Sequence, residues 1–596
     1  MARISFSCLC PASWHFTVPS VSLCLRQRLA LVLLLFAVFL LLIVAIKNLW
    51  HWKTDSRDRQ FESYLARYRA LEATDTRDPA LSYGVVVDCG SSGSRVFVYY
   101  WPPHNGNPHH LLDIRQMRDH SSEPVVKKIK PGISTLAKSP EKANEYMKPL
   151  LTFAAAYVPK DKHKETPLYI MCTAGMRLLP DKQQEAILGD LVRDIPLEYD
   201  FLFSESQAEV ISGKQEGVYA WIGINFVLGR FDHAEEEDAV ISVTLSSQEE
   251  PMVRKRTVGI LDMGGASLQI AYEEEAAKSL LADFNLGCDV QHTEHVYRVY
   301  VNTFLGFGGN FARQRYEELV LNQTIAHNRL HSAQMGLNPE VPVLDPCLPM
   351  GLEDVVEKGG QAMHVRGQGD WRRCAEQLRP LLAGDNSSSG SSLSKSYQAS
   401  IDFKNSEFYG FSEFYYCTDD VLRLGGPYLS SIFTRAAQDY CSLSWSVLQQ
   451  RFQDKLYSPH ADLHRVKYQC FKSAWMHKVL HEGFHFPKDY SNLRTVQLLY
   501  DREVQWTLGA ILYKTRFLPL RDIQRENFHQ SHSSWLHLSF VYNHYLFFGC
   551  ILVVTLAIGL YLLRLRRIHH QPLQSAPLDL LWLEEVVPLP AQKEGS

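Results

Sequence analysis

Two stretches of the chain share one pattern of apolar and polar positions. In each, an apolar run ends at an aspartate, a turn of glycine and small residues follows, and a second apolar run resumes. The first stretch covers residues 85–99 with Asp88, and the second covers residues 259–272 with Asp262. This pattern predicts two β-hairpins whose tips present backbone N–H groups and hydroxyls, the donors that cradle a phosphate chain. The repeat of one template predicts a two-lobed protein that grips a nucleotide between its lobes.

Apolar periodicity elsewhere predicts alternating strands and helices. Residues 168–172 read as a strand followed by a turn, and residues 208–229 read as a helix with apolar positions on one side. The acidic stretch 232–256 is predicted to be a solvated loop, and the Ser/Gly-rich stretch 387–396 is typical of a flexible one. Strands that alternate with helices indicate an α/β protein.

Two apolar runs near the ends of the chain predict transmembrane helices. Residues 29–46 and 546–563 would each span roughly 27 Å as helices, about the thickness of a bilayer core. The alternative for the first run is a cleaved signal peptide, but the run is long for that and no small-residue cleavage site follows it. The basic cluster at 564–567 predicts a cytosolic C-terminus, and Arg26 and Arg28 favour a cytosolic N-terminus.

The segment between the two runs has features of a lumenal or extracellular domain. Asn322 and Asn386 begin N-glycosylation triplets. Cysteines cluster in the second half, as disulfides in an oxidising compartment would, although their pairing does not follow from sequence. Cys89 and Cys172 lie in apolar runs and read as small buried residues. The 61 basic and 65 acidic residues give no field that would attract nucleic acid.

Hydrolysis of a phosphoanhydride requires a gripped phosphate chain, a cation and a base or orienting group for the attacking water. Asp88 and Asp262 are candidates to hold a hydrated divalent cation, because such ions prefer oxygen ligands. Glu216 is an acid in an otherwise apolar helix start, where it is either the base or a residue of a solvated helix face. Arg177 either forms a structural ion pair or contacts phosphate.

Six ordered segments of the chain resemble the apyrases, the nucleoside triphosphate diphosphohydrolase family, and in particular its two-span intracellular members. These segments are residues 88–95, 173–177, 207–229, 261–270, 408–418 and 506–510. The resemblance implies an actin-like, two-lobed fold of the ribonuclease-H type, with a nucleotide and Ca²⁺ or Mg²⁺ in the cleft.

The resemblance also assigns roles to individual residues. Glu216 matches the catalytic base, Ser267 and Gln269 match the residues that position the attacking water, and Asp88 and Asp262 match the ligands of the metal-bound water. The expected phosphate-binding residues are Ser91, Ser92, Gly93, Ser94, Arg95, Thr173, Gly264, Gly265 and Ala266. The expected disulfides are Cys347–Cys374 and Cys417–Cys441, and the pairing of Cys288 and Cys470 stays open.

Two positions depart from the common pattern of the family. Leu268 replaces a threonine between Ser267 and Gln269, but alternate residues of a strand point to opposite faces, so the water-positioning pair is expected to survive. Cys89 replaces a small alanine in the first loop. The contacts to the nucleobase do not transfer to numbered residues, although the two-span relatives favour UTP, GTP and CTP over ATP.

Three other readings compete with a nucleotidase. Residues 481–485 match the zinc-protease motif H-E-x-x-H, but Gly483 weakens that helix and Pro487 ends it, so the histidines read as helix-surface residues. The Gly213-Lys214 pair lacks the rest of a P-loop. A membrane-anchored nucleotide sensor would keep the cleft without needing Glu216, Ser267 and Gln269.

The resulting prediction is a two-span endomembrane nucleotidase of a cytoplasmic vesicle, the Golgi or the lysosome, with a lumenal catalytic domain and both termini in the cytosol. Oligomeric state does not follow from the sequence. The predicted segments are a cytosolic N-terminus (1–28), a transmembrane helix (29–46), a stalk (47–80), the first lobe (81–212), the second lobe (213–475), a return to the first lobe (476–525), a membrane-proximal linker (526–545), a transmembrane helix (546–563) and a cytosolic tail (564–596).

Overall fold

The chain folds as an α/β protein with two main sheets. The computed structural model describes residues 72–105, 110–231, 240–243, 252–274, 281–287, 295–358, 360–383, 392–393, 396–499, 502–503, 505–518 and 544–569. In chain order the strands are β1 Ser82–Gly90, β2 Gly93–Trp101, β3 Arg115–Gln116, β4 Val126–Ile129, β5 Leu168–Cys172, β6 Ala208–Val210, β7 Val240–Val243, β8 Met252–Lys255, β9 Gly259–Met263, β10 Ser267–Glu273, β11 Leu281–Asn285, β12 Val296–Leu305, β13 Val343–Asp345, β14 Glu353–Lys358, β15 Gln361–Gly367, β16 Phe408–Ser412, β17 Gly426–Pro427, β18 Leu493–Thr495, β19 Leu498–Leu499 and β20 Arg502–Glu503.

Helices connect and cover these strands. The α-helices are α1 Ala143–Tyr157, α2 Ala174–Arg177, α3 Asp181–Glu198, α4 Gly213–Val227, α5 Gly309–His331, α6 Trp371–Gln377, α7 Glu413–Tyr415, α8 Ser430–Cys441, α9 Trp445–Gln453, α10 Leu463–Lys478, α11 Trp506–Thr515 and α12 His544–His569. Short 3₁₀ segments lie at Ile133–Lys138, Pro140–Lys142, Lys160–Glu165, Glu205–Gln207 and Arg379–Ala383, and π-helical turns at Tyr416–Asp420 and Val479–Gly483.

The two main sheets repeat one topology. The first has the order β3-β2-β1-β5-β6, with β4 also paired to β2, and the second has the order β11-β12-β10-β9-β16-β18-β17. In each, an antiparallel hairpin with an aspartate is followed by two parallel strands on its far side. The predicted α/β class and the duplicated, hairpin-bearing architecture are therefore confirmed.

Three apolar cores fix how the sheets stack. Alternate residues of β1 face opposite sides, so that Val85 and Val87 pack with α1 and α3 while Val86 packs with α4 and α11. The core around α4 and α11 also contains Ile260 and Ala271 of the second sheet. Helices α4 and α11 therefore lie between the two sheets, and the outer face of the second sheet packs on α10.

The contact between α4 and α11 depends on a close backbone approach. A Cβ added to Gly509 would lie 1.9 Å from the carbonyl oxygen of Tyr219, so no side chain fits at this crossing. The Tyr99 hydroxyl is hydrogen-bonded at 2.7 Å to Thr507, which ties α11 to β2. Helix α11 is thus part of the core that holds both sheets.

Two predicted boundaries differ from the structure. The helix expected at 208–229 starts later, because Ala208–Val210 pairs as a strand with β5 and the capping box of Ser212 and Gln215 begins the helix at Gly213. The segment from 476, expected to return to the first lobe, still adds Leu493–Thr495 to the second sheet before α11 packs on α4 and β1.

The structure bears only partly on the predicted membrane spans. Residues 29–46 lie outside the described part of the chain, and residues 546–563 lie within His544–His569. Among the described residues, no helix meets the combined length and apolarity required to cross a membrane. The two spans remain predictions.

The disulfides differ from the expected set in one pair. Cys347–Cys374 is formed, as the resemblance implied. The expected Cys417–Cys441 pair is wrong: Cys441 at the end of α8 bonds to Cys470 on α10, with 5.4 Å between their Cα atoms. Cys417 is a buried free thiol, and its carbonyl accepts a hydrogen bond of 2.7 Å from Gln469. Helices α8 and α10 pack directly against each other, and this contact brings Cys441 to Cys470.

The two glycosylation triplets occupy different kinds of position. Asn322 is exposed on α5, and the Thr324 hydroxyl of its triplet donates a 2.8 Å hydrogen bond to the carbonyl of Val320. Asn386 and Cys288 lie outside the described residues. Glycosylation at either asparagine remains a prediction.

Candidate active site

The first loop is a tight turn between β1 and β2. Gly90 pairs with Gly93 across the strands, so Ser91 and Ser92 alone form the tip. Asp88 is only 3% exposed and lies opposite Arg95, whose Nη2 is 3.2 Å from Asp88 Oδ2. Burial raises the pKa of Asp88, and the Arg95 guanidinium opposes that shift. This loop therefore carries a carboxylate with its own cationic partner.

The second loop, Gly264 to Ala266, connects β9 and β10. Its tip meets the tip of the first loop, since a Cβ added to Gly265 would lie 2.8 Å from Ser91 Oγ. Asp262 is 8% exposed and lies opposite Gln269. Its Oδ1 is buried without a hydrogen-bond partner among the described residues, and burial raises its pKa. Within the described residues Asp262 forms no ion pair, although the charge of Arg95 opposes the rise of its pKa.

Glu216 lies in the first turn of α4 and is part of a hydrogen-bonded group. Its Oε2 accepts from Arg177 Nη2 at 2.8 Å and from Gln269 Nε2 at 3.1 Å. Ser267 Oγ accepts from the same two side chains, at 3.1 Å from Arg177 and 2.7 Å from Gln269. With both acceptor positions of Ser267 in use, its hydroxyl proton is free to be donated to a further group.

The surroundings of Glu216 place its pKa near neutral pH. It is 7% exposed, and burial raises the pKa of this carboxyl to about 7, against the opposing effect of Arg177. The carboxylates of Asp262 and Asp88 raise the pKa further. A carboxyl with this pKa exchanges protons readily at neutral pH, which suits a general base.

An open cleft of about 930 Å³ lies between the two loops and the start of α4. The charged residues that line the cleft are Asp88, Glu216, Asp262, Arg95 and Lys128. Other lining residues are Gly90, Ser91, Ser92, Gly93, Thr173, Ala174, Ala220, Gly264, Gly265, Ala266, Ser267, Phe411, Ser412, Tyr415, Tyr416, Val496, Gln497, Gln505 and Trp506. The mixture of aromatic and polar groups in this open cleft suits a nucleotide ligand.

Most of the residues predicted for the site meet at this cleft, but two do not line it. Gln269 lies behind Glu216 and Ser267, 1% exposed, and contacts both of them. Ser94, expected to bind phosphate, is fully buried on the other face of β2, where its Oγ accepts a 2.9 Å hydrogen bond from the Tyr146 hydroxyl. The Ser94 hydroxyl therefore does not face the cleft as expected, because Ser94 pairs with Cys89 and points away from Asp88.

The paired aspartates fit a divalent cation. Two carboxylates face the cleft, and the unpartnered, buried Oδ1 of Asp262 is an oxygen for which the described residues provide no donor. No group of three or more His, Cys, Asp or Glu side chains suitable for a metal occurs in the described ranges. A hard cation with most of its shell from water and phosphate oxygens matches this donor set.

The H-E-x-x-H segment has no zinc-site geometry. His481 is half-buried, with Nδ1 2.7 Å from the Phe486 carbonyl and Nε2 3.2 Å from the Tyr428 hydroxyl. His485 is exposed and follows the last π-helical turn. The expectation of helix-surface histidines is therefore wrong for both: the His481 ring packs against Tyr428, and His485 is exposed but lies beyond the helix.

Two cationic residues of the site were not identified as such from the sequence. Arg177, for which two roles were open, ion-pairs with Glu216 at 2.8 Å. Lys128 lies in the run Lys127-Lys128-Ile129-Lys130, which resembles an ordinary solvated strand. Only its register on β4, where it pairs with Arg95, identifies it as a cleft residue.

Comparison with known proteins identifies the class of this site. The model of the GDA1/CD39 (nucleoside phosphatase) family matches residues 75–531, a range that includes both loops, Glu216 and α11. The chain belongs to the GDA1/CD39 family. It is 70% identical over 609 aligned positions to human ectonucleoside triphosphate diphosphohydrolase 7, with 100% of each chain covered. It is 60% identical to human ectonucleoside triphosphate diphosphohydrolase 4, with 99% of each chain covered.

A solved structure also aligns with the chain. A nucleoside triphosphate hydrolase from Neospora caninum matches 78% of this chain and 99% of its own, with 16% identity and a TM-score of 0.48. Membership of the GDA1/CD39 family makes this chain an enzyme of the nucleoside phosphatase class. No observation in the structure or the comparisons favours the non-catalytic sensor.

Proposed function

We propose that this GDA1/CD39 enzyme hydrolyses the terminal phosphoanhydride of nucleoside triphosphates, and also of diphosphates, to release orthophosphate. The single observation that carries the proposal is the group formed by Glu216, Ser267 and Gln269 at the edge of a cleft that is lined by two phosphate-type loops. The names of the similar human proteins, which refer to nucleoside triphosphates, support the same substrate class.

The base in this proposal is Glu216. Its Oε2 is held by Arg177 and Gln269, whereas Oε1 accepts no hydrogen bond from the described residues. A water molecule between Oε1 and the Ser267 hydroxyl would receive one hydrogen bond and donate another. Its oxygen attacks the terminal phosphorus in line with the leaving oxygen, and its proton passes to Glu216.

The two loops bind the phosphate chain. The cleft is lined from two sides by Ser91–Gly93 with Thr173 and by Gly264–Ala266. Their backbone N–H groups and hydroxyls are the candidate donors, except that the Gly264 N–H already donates to the Ser267 carbonyl at 2.9 Å. Such donors suit oxygens on which negative charge is spread in the transition state. Arg95 adds a cation on the side of the first loop.

Asp88 and Asp262 would hold Ca²⁺ or Mg²⁺ through water, and the unpartnered Oδ1 of Asp262 supports this assignment. Bound there, the cation supplies charge that offsets the phosphate oxygens. The chain's own contribution is to hold both carboxylates beside the loops, where burial raises their pKa values and a bound cation would favour their ionised forms. We expect activity to be lost on chelation.

Two further properties belong to the proposal. The preference for UTP, GTP and CTP over ATP is supported by the resemblance to the two-span members of the family. A lumenal catalytic domain in the endomembrane system is supported by two disulfides and by the exposure of Asn322. Both termini are then cytosolic.

Phosphate release by the full-length chain tests the proposal. The substrates are UTP, GTP, CTP, ATP, UDP and GDP, each measured with Ca²⁺, with Mg²⁺ and with chelator. Glu216→Gln, which keeps the shape of the side chain and removes the base, is expected to lower kcat by about 10³-fold. Glu205→Gln, at an exposed position, is the matched control and should retain normal activity. Turnover by Glu216→Gln at a near-normal rate would refute the base assignment.

A further inference from the structure

One cation in the cleft has no role in the mechanism described above. Lys128 lies on β4, which pairs antiparallel with β2 at the side of the first sheet. Side chains of β4 alternate between two environments. The Lys127 ammonium lies 5.6 Å from the centre of the Phe153 ring, outside the cleft, whereas Lys128 lines the cleft itself. Two adjacent lysines thus provide a cleft residue and a matched residue outside it.

The other cation of this wall is already committed to a carboxylate. Arg95 is the cross-strand partner of Lys128, and its guanidinium lies 3.2 Å from Asp88. Lys128 itself forms no side-chain hydrogen bond or ion pair within the part of the chain that the structure describes, and it is solvent-accessible. Its ammonium therefore remains available to a ligand in the cleft.

The surroundings of Lys128 are suited to an anion. The charged groups that act on it most strongly are the cations Arg95, Lys130 and Arg465, and Asp88 is the one acid among them. Burial and these cations lower the pKa of Lys128 to about 8, which leaves the ammonium form predominant at pH 7. A bound polyphosphate would relieve the repulsion among these cations.

Lys128 and Glu216 belong to different parts of the cleft. Lys128 is the cross-strand neighbour of Arg95 on the side of the first hairpin, whereas Glu216 is hydrogen-bonded to Gln269 of the second hairpin. A nucleotide with its terminal phosphorus at Glu216 and its remaining phosphates directed past Asp88 would bring those phosphates to the side of Arg95 and Lys128. Lys128 is therefore placed to contact the phosphates of the nucleotide that do not react.

We propose that Lys128 is a substrate-binding residue, whose ammonium holds phosphate oxygens of the nucleotide other than those of the attacked phosphorus. This assignment rests on the proposed function, because it takes a nucleoside polyphosphate as the ligand. It implies a division within the cleft: Lys128 contributes to binding equally before and during reaction, and the group around Glu216 contributes to the chemical step.

Steady-state kinetics of the full-length chain with UTP and Mg²⁺ test the inference. Lys128→Gln should raise KM by about 10-fold and leave kcat within about twofold, since a hydrogen bond to a charged group is lost. Lys128→Arg should keep KM near that of the unaltered chain. Lys127→Gln removes the same charge from the neighbouring position outside the cleft, and it should change neither constant.

A binding measurement separates this inference from the proposed function. A UTP analogue with an imido bridge between the β- and γ-phosphates should raise the melting temperature of the unaltered chain and raise it less in Lys128→Gln. If no nucleotide is hydrolysed but this difference appears, the proposed function fails and the binding role stands. An unchanged KM in Lys128→Gln, a fall in kcat at unchanged KM, or an equal loss in Lys127→Gln would each overturn the inference.

Discussion

The two loop-bearing hairpins share a backbone template and differ at one cross-strand position. Opposite Asp88 in the first hairpin stands Arg95, and opposite Asp262 in the second stands Gln269. The arginine lies 3.2 Å from its aspartate, while the glutamine donates to Glu216 and Ser267 instead. The same location therefore carries a cation that offsets a carboxylate in one lobe and a neutral amide that orients polar groups in the other.

Under the proposed function, this difference would give the cross-strand residue of the first hairpin a role in binding and that of the second a role in the chemical step. The Arg95 guanidinium offsets the negative charge of Asp88. The first hairpin would therefore present hydrogen-bond donors and cations to phosphate. Without such a partner, Asp262 keeps a buried oxygen free among the described residues, and Gln269 is available to hold the proposed base. Two copies of a duplicated hairpin can thus acquire different functions when one cross-strand side chain differs and the strand register is kept.

Placing the first-lobe residue in the second lobe should have the largest effect. Gln269→Arg would put a cation beside Asp262 and Glu216, where it would pair with the carboxylates and lower the basicity of Glu216. We expect kcat with UTP to fall by at least about 100-fold. Phosphate release measures this, and Gln269→Glu is the companion variant that keeps size but not the donor. Activity within a few-fold of normal in Gln269→Arg would show that the amide does not matter.

The pH profile tests whether Glu216, beside Gln269, acts as the base. Because its pKa is about 7, kcat/KM should fall by about tenfold for each pH unit well below 7 and level off above it. Arg177→Gln removes the cation that lowers this pKa, so the rise should move to higher pH. A flat profile between pH 5 and 8 would contradict the assignment.

The same pKa makes a prediction about stability. The folded chain holds the Glu216 proton up to about pH 7, while the unfolded chain releases it near its ordinary value of 4.5. The folded state binds more protons in that window, so stability falls as pH rises through it, by roughly 3 kcal/mol in the absence of cation and substrate. Glu216→Gln should flatten this dependence, and urea unfolding at pH 5 and pH 8 measures it.

Removing the first-lobe cation should have a smaller effect on turnover. Arg95→Gln puts into the first hairpin the glutamine that the second hairpin has at this cross-strand position, and it leaves Asp88 without its cation. We expect kcat/KM to fall by about 10-fold, mainly because KM rises. Arg95→Lys, which keeps the charge, should recover part of the loss. A fall in kcat as large as that of Gln269→Arg would mean that the two positions are not specialised.

The smallest effect on activity is expected at the residue beside Gln269. Leu268 is fully buried in the core of the second sheet and does not line the cleft. Leu268→Thr restores the residue common in the family, and it should change kcat by less than about threefold while costing about 2 kcal/mol of stability. Ala271→Ser, in the core on the other side of the second sheet, is a comparison variant. A large change in kcat would show that Leu268 tunes the site.

The sequence was sufficient for the parts of the site that depend on local pattern. The two hairpins, their aspartates and the small residues at the tips follow from strand alternation and turn chemistry. Glu216, Ser267 and Gln269 came from the family resemblance, and the structure brings them within hydrogen-bond distance. Their catalytic roles remain predictions.

The features that the sequence did not predict depend on tertiary contacts or on strand register. Ser94 was assigned to phosphate because it belongs to the loop motif, but its position on β2 turns it toward Tyr146. Cys441 pairs with Cys470 because two helices pack together, which spacing along the chain does not reveal. Lys128 gave no signal in a lysine-rich run, since only its pairing with Arg95 places it in the cleft.

The position of α11 between the sheets has a consequence for the order in which the protein is made. The core that joins Val86 and Trp221 to the second sheet also requires Ile511 and Leu512, and Gln505 and Trp506 line the cleft. During synthesis, the face of the first sheet that carries Val86 is therefore fully covered only after the ribosome has produced almost the whole domain. Nascent chains shorter than this expose apolar surface and depend on chaperones, so a premature stop before residue 505 should give aggregation rather than a partly active enzyme.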